Sequence, residues 1–127
     1  MIQEGQIVLF EFPQTDQAGR KLRPALVIRA LPGPHDDWLI CVISSKLHQE
    51  VHDVDIVVSQ SDGDFTKTGL KFTSLIRVTR VSVVEGKLFK GTIGMIGGEI
   101  LERVRSNLGR WIIGQELGEE EGESEVE

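Results

Sequence analysis

Arg20-Lys21-Leu22-Arg23-Pro24-Ala25-Leu26-Val27-Ile28 is a tight basic cluster that runs straight into an apolar segment. The apolar half continues to Ala30 and stops before Pro32-Gly33-Pro34, which reads as a β-strand ended by a turn. The basic half has two readings. Cations at the start of a strand protect a sheet edge against aggregation. Three fixed cations at the mouth of a rigid element are also well suited to gripping a phosphate backbone.

Outward from this stretch, the chain repeats the same design of short apolar runs punctuated by turn residues. Ile7 to Phe12 alternates partly and stops at Pro13, Trp38 to Ser45 is a third run, and Asp53 to Val58 alternates loosely as a fourth. Ser74 to Val84 is the longest and is rich in β-branched residues, and Phe89 to Ile96 is a sixth in which Gly91 and Gly94 suggest bends or bulges. Many short strands predict a mainly β domain, a small barrel or a sandwich. From position 98 the period changes. Ile100, Leu101, Val104, Leu108, Trp111 and Ile112 fall on one helical face and Gly114 is a natural stop, so an amphipathic C-terminal helix is expected to cap the sheet.

The connections are polar: 13–19, 32–37, 46–52 and 60–68. The first delivers Arg20, Lys21 and Arg23, the third follows Ser44-Ser45 and carries Lys46 and His48, and the fourth precedes Gly69-Leu70-Lys71. A barrel that gathered these loops on one side would form a basic, hydroxyl-lined groove.

A chain of 127 residues is the size of one domain, and no apolar run approaches the roughly 20 residues of a membrane helix. The opening Met1-Ile2-Gln3-Glu4-Gly5 has neither a basic n-region nor an apolar h-region, so a cytoplasmic protein without a membrane partner is expected. The formal charge of −6 argues against an anionic partner only if it is evenly spread. It is not, because seven of the last twelve residues are Glu. With those seven of the 20 carboxylates set aside, residues 1–115 carry 13 against 14 cations. The division expected is one domain over 1–115 and a disordered acidic tail over 116–127.

Two further features bear on chemistry. Arg77 lies in the middle of an apolar strand, which is costly unless the guanidinium finds an anion or opens into a cleft. Glu11 and Asp55 are the candidate structural partners. Cys41, the single cysteine, sits within Leu39-Ile40-Cys41-Val42-Ile43 and reads as a small buried hydrophobe. His48 and His52 are four apart but lack a third ligand signal, so no metal site and no cofactor are expected. His35, beside Asp36-Asp37, reads as solvent-exposed.

Taken in order, these words resemble the PemK/MazF family of toxin-antitoxin endoribonucleases. Gly5-Gln6-Ile7-Val8, Phe12-Pro13-Gln14-Thr15-Asp16 and Lys21-Leu22-Arg23-Pro24-Ala25-Leu26-Val27-Ile28 are similar to the family's opening. Val42-Ile43-Ser44-Ser45-Lys46 resembles its "ITS" segment, and Gly69-Leu70-Lys71 with Ser74-Leu75-Ile76-Arg77-Val78 its "GL(K)…S-x-x-R-x-D" segment. Lys90-Gly91-Thr92-Ile93-Gly94 and Leu101-Glu102-Arg103-Val104 resemble its closing words, so the likeness spans residues 5 to about 108.

The resemblance implies an SH3-like β-barrel with a C-terminal helix, a homodimer, a cognate antitoxin, and metal-independent, sequence-specific cleavage of single-stranded mRNA. By position it implies catalytic roles for Arg23, Ser44 and Arg77. Arg20, Lys21, Ser45, Lys46, His48, Lys71 and Thr79 would contact RNA. Thr79 stands where some members carry an aspartate proposed as general base, and a threonine hydroxyl does not accept a proton near neutral pH. Asp16 is the substitute carboxylate in that part of the chain. The alternative is a catalytically weak or inactive module of the same fold that binds single-stranded nucleic acid or a partner peptide.

Overall fold

The computed structural model describes residues 1–13 and 20–115. Six strands are present: β1 (Gln6–Pro13), β2 (Arg20–Ala30), β3 (Asp37–Ser44), β4 (Ile56–Val58), β5 (Ser74–Glu85) and β6 (Gly91–Met95). A single helical turn, α1 (Phe65–Thr68), precedes β5, and the C-terminal helix is α2 (Gly98–Ile113). All strand pairs are antiparallel, in the order β4-β5-β3-β2-β1-β6. The architecture is mainly β, one curled antiparallel sheet with a C-terminal helix, as the strand pattern predicts.

Period-two alternation makes both faces of the central strands apolar. On one face Ile7, Leu26, Ile28, Cys41, Ile43, Ile76 and Val78 pack with Val104 and Leu108 of α2. On the other, Val8, Ala25, Val27 and Ile40 pack with Phe10, Phe12, Trp38 and Phe89. Phe10 anchors that second cluster by edge-to-face contact with Phe12, ring centroids 4.8 Å apart. Each fully buried Leu, Ile or Val contributes about 1.5–3 kcal/mol, so β1, β2 and β3 are the rigid scaffold that carries the site. Cys41 is wholly buried, and burial raises its thiol pKa, consistent with a packing role.

α1 meets the β6 edge of the sheet by close backbone contact. Gly69 ends α1 with φ 74°, and a β-carbon there would collide with the Ile93 carbonyl of β6. A β-carbon at Gly94 would meet the Lys67 and Thr68 carbonyls. Glycine at both places lets α1 lie directly against β6. Gly94 also marks an irregularity, since the β1–β6 register shifts between Ile7 and Val8.

The structure departs from the sequence pattern at three places. The fourth strand covers only Ile56–Val58, because Asp53 adopts φ 68° and Asp55 turns inward to act as a hydrogen-bond acceptor. The 60–68 connection carries α1. Trp111, Ile112 and Ile113 are half or more exposed, so the last turn of α2 runs past the core that buries Val104 and Leu108. Gly114 stops the helix as expected, in the left-handed conformation at φ 85°. Among the described residues no helix is long and apolar enough to cross a membrane.

Candidate functional site

β2 and β3 set the two halves of the site side by side. Their register runs from Ala30 opposite Trp38 to Ala25 opposite Val42. Two residues further along each strand stand Arg23, within β2, and Ser44, at the end of β3. Ser44 closes β3, and its Oγ accepts the Lys46 backbone N–H at 3.0 Å. That bond occupies a lone pair and leaves the hydroxyl hydrogen to be donated outward.

A groove of about 680 Å³ opens at this point. Lys21, Leu22, Arg23 and Pro24 line it from β2, Ser44 and Ser45 from the end of β3, and Gly69, Leu70, Lys71 and Phe72 from the segment after α1. Leu9, Ile43, Ser74 and Ile93 complete it. Among the described residues, three cations and three serine hydroxyls line this space and no carboxylate does. Two other cavities, beside α2, are different: one has Asp62, Asp64 and Glu99 against Arg103, and the other Glu50, Asp53 and Asp55 among its basic residues. A lining of cations and hydroxyls without carboxylates is matched to an extended polyanion.

Gly69 explains why the Gly69-Leu70-Lys71 word belongs to this site. Its left-handed turn brings Leu70 and Lys71 back from α1 across the end of β6 toward β2. Thr68 secures the turn, its Oγ1 accepting the Leu70 N–H at 3.1 Å and donating to the Phe65 carbonyl at 2.6 Å.

Of the residues singled out in the sequence, Lys21, Arg23, Ser44, Ser45 and Lys71 meet in this groove, with Lys46 bonded to its rim through Ser44. Arg77, Thr79 and His48 are not among the lining residues. Arg77 donates Nε–H to Asp55 Oδ2 at 3.3 Å and an Nη1 hydrogen to Gln49 Oε1 at 2.9 Å. Asp55 is thus the structural partner, and Glu11 is not. Thr79 sits in a bulge: Cys41 pairs Val81 and the next residue, Val42, pairs Arg77, which leaves 78–80 without partners on β3. The Val78 N–H in that bulge is taken by Asp55 Oδ1 at 3.0 Å. His48 lies exposed in the short 3₁₀ turn Leu47–Gln49. Exposed His52 is 3.4 Å from Asp53. Asp16, the acidic tail and the side chain of Arg20 fall outside the described residues.

The groove also contains residues that the sequence reading did not single out. Ser74, the first residue of β5, is one: it opens the Ser74-Leu75-Ile76-Arg77-Val78 word but was given no role in the site. Phe72 is another, an aromatic set between Lys71 and Thr73.

Comparison with known proteins bears on the fold and the family. The profile of the PemK-like, MazF-like toxin of type II toxin-antitoxin systems matches residues 3–112. Among curated protein sequences nothing matches. Solved structures similar in fold include a MazE–MazF complex from Deinococcus radiodurans, 17% identical over 91% of this chain and 99% of that one, with a TM-score of 0.66. The Mycobacterium tuberculosis toxin MazF-mt6 is 14% identical over 87% and 98%, with a TM-score of 0.62. An endoribonuclease in complex with its cognate antitoxin from Mycobacterial species is 11% identical over 90% and 96%, with a TM-score of 0.61. At these identities the structural likeness speaks for the fold, while the sequence profile spans most of the chain. The chain therefore belongs to the PemK-like, MazF-like toxin family of type II toxin-antitoxin systems.

Proposed function

We propose that this protein is a toxin that cuts single-stranded mRNA at specific sequences without a metal ion. It acts as a cytoplasmic homodimer and is neutralised when a cognate antitoxin occupies the groove. The observation that carries this reading is the Lys21, Arg23, Ser44, Ser45 and Lys71 groove, which no carboxylate among the described residues lines, in a chain of net charge −6. The RNA supplies its own nucleophile. The 2′-oxygen loses its proton and attacks the adjacent phosphorus, the bond from phosphorus to the 5′-oxygen breaks, and that oxygen takes up a proton. The products end in a 2′,3′-cyclic phosphate and a 5′-hydroxyl.

In this scheme Arg23 places its planar guanidinium on two phosphate oxygens and is worth most as charge builds on them in the transition state. Ser44 donates its free hydroxyl hydrogen to the same phosphate. Lys21 and Lys71, helped by Arg20, Ser45 and Lys46, hold the flanking backbone and steer RNA inward. Arg77 acts as a positioning residue, fixing the 46–55 segment, and with it His48, through Gln49 and Asp55. Asp16 is the carboxylate to test for the 2′-proton.

A second reading is favoured by one pair of observations. Thr79 replaces the acidic residue, and Arg77 is already engaged by Asp55. On that reading the groove binds single-stranded nucleic acid or a partner peptide and does not cut. Incubating the purified chain with a long single-stranded RNA in EDTA separates the two. Discrete cuts support the toxin, and tight binding with intact RNA supports the binding module.

A further inference from the structure

Phe72 is 64% exposed, yet it borders a groove whose other exposed members are Lys21, Leu22, Ser45, Gly69 and Lys71. The ring contacts among the described residues are Phe10–Phe12 and Phe10–Phe89, so Phe72 contributes to neither apolar cluster. Its backbone, by contrast, is fixed on both sides. The Ser74 hydroxyl donates to the Phe72 carbonyl at 2.7 Å, the Gln60 N–H to Thr73 Oγ1 at 3.0 Å, and the Gln60 side-chain amide to the Lys71 carbonyl at 3.3 Å. Upstream, Gly69 is locked against Ile93. A large aromatic ring is therefore held out toward solvent on a braced support, beside cations and hydroxyls.

Resting on the RNA reading above, we infer that Phe72 is a stacking platform for one unpaired RNA base next to the scissile phosphate, and so helps select the sequence that is cut. Phosphates and bases alternate along a single strand. A groove that takes the backbone on Lys21, Arg23 and Lys71 must turn bases toward its rim, and an aromatic face there takes a base by stacking. A rigid ring with two side-chain torsions loses little freedom when it does so. The apolar side chain of a protein partner would be served equally well by leucine, whereas stacking requires the ring.

The test uses a 12-nucleotide RNA spanning a mapped cut, 2′-O-methylated throughout so that it binds without being cleaved. Phe72→Leu is expected to weaken binding at least tenfold, and Phe72→Trp to keep or tighten it, with melting temperatures unchanged because the side chain is exposed. In a series of oligonucleotides with one base removed at a time, a single position should cost the wild-type protein about tenfold and cost Phe72→Leu nothing further. Wild-type affinity in Phe72→Leu, or equal losses in both proteins at every position, overturns the inference while leaving RNA cleavage intact. A Phe72→Leu effect confined to antitoxin affinity overturns it in favour of protein docking. If the wild-type chain neither cuts nor binds RNA, the functional reading itself has failed and this inference with it.

Discussion

Arg77 donates its Nε–H to Asp55 at 3.3 Å, and the Asp55 side chain is 2% exposed. The same carboxylate accepts the N–H groups of Val51 and Val78, so it ties β5, its bulge and the 46–55 segment together. Removing the guanidinium would strand a buried anion. Arg77→Ala is expected to cost about 3–5 kcal/mol of folding stability, read as a lower urea midpoint at unchanged slope. Arg77→Lys keeps the charge without the planar fork and should lose less. An Arg77→Ala protein as stable as wild type would show that the pair does not hold the fold.

Gly69 joins α1 to β6 in a conformation that disfavours a side chain. A left-handed residue with a β-carbon costs about 1–2 kcal/mol, and the Ile93 carbonyl it would strike belongs to β6, whose neighbouring residues Thr92 and Gly94 are held by their pairing with β1. Gly69→Ala should therefore lower stability by more than about 2 kcal/mol and weaken RNA binding by displacing Lys71. A variant that melts with wild type would contradict the close approach.

Glu4 gives the fold a defined acid sensitivity. Its carboxyl pKa is lowered from the ordinary 4.5, first because it accepts the Ala30 N–H and then because of the Arg105 guanidinium beside it, outweighing partial burial. A depressed carboxyl contributes stability that is complete above 4.5 and is lost as pH falls below it through the folded value. The melting-temperature gap between wild type and Glu4→Gln should thus be widest near neutral pH and close in acid. A gap independent of pH would rule out the ionised pairing.

The cations of the groove predict a salt law. Each phosphate neutralised on a single strand contributes about −0.7 to the slope of log K against log salt, so contacts from Lys21, Arg23 and Lys71 predict a slope near −2. Lys21→Ala and Lys71→Ala should each flatten it by about 0.7 on uncleavable RNA. Salt-independent binding would remove the phosphate grip from the account.

The sheet was readable because its strands are local. Val81-Ser82-Val83-Val84 or Ala25-Leu26-Val27-Ile28 announces itself by β-branched and apolar residues alone, and α2 by its period. Single turns such as Phe65–Thr68 carry too few residues to show a period. The bulge at 78–80 depends on a carboxylate 23 positions upstream, so chain-local pattern could offer Asp55 only as one of two partners for Arg77. The same limit applies to the site. Arg23 and Ser44 were legible as words, while Phe72 joins them through the turn at Gly69 and Ser74 through the pairing of its neighbour Leu75 with Ser44. The exposed end of α2 was misread because periodicity shows which residues share a face and not how far the core extends beneath it.

The most direct measurement is single-turnover cleavage of a long single-stranded RNA in EDTA, with the chemistry of the new ends determined. The wild-type chain is expected to leave 2′,3′-cyclic phosphate and 5′-hydroxyl ends at discrete sites. Arg23→Ala, shown to be folded by its melting curve, is expected to cut about 10²–10³-fold more slowly. RNA bound by the wild type but left whole, or cut equally fast by Arg23→Ala, would contradict the account.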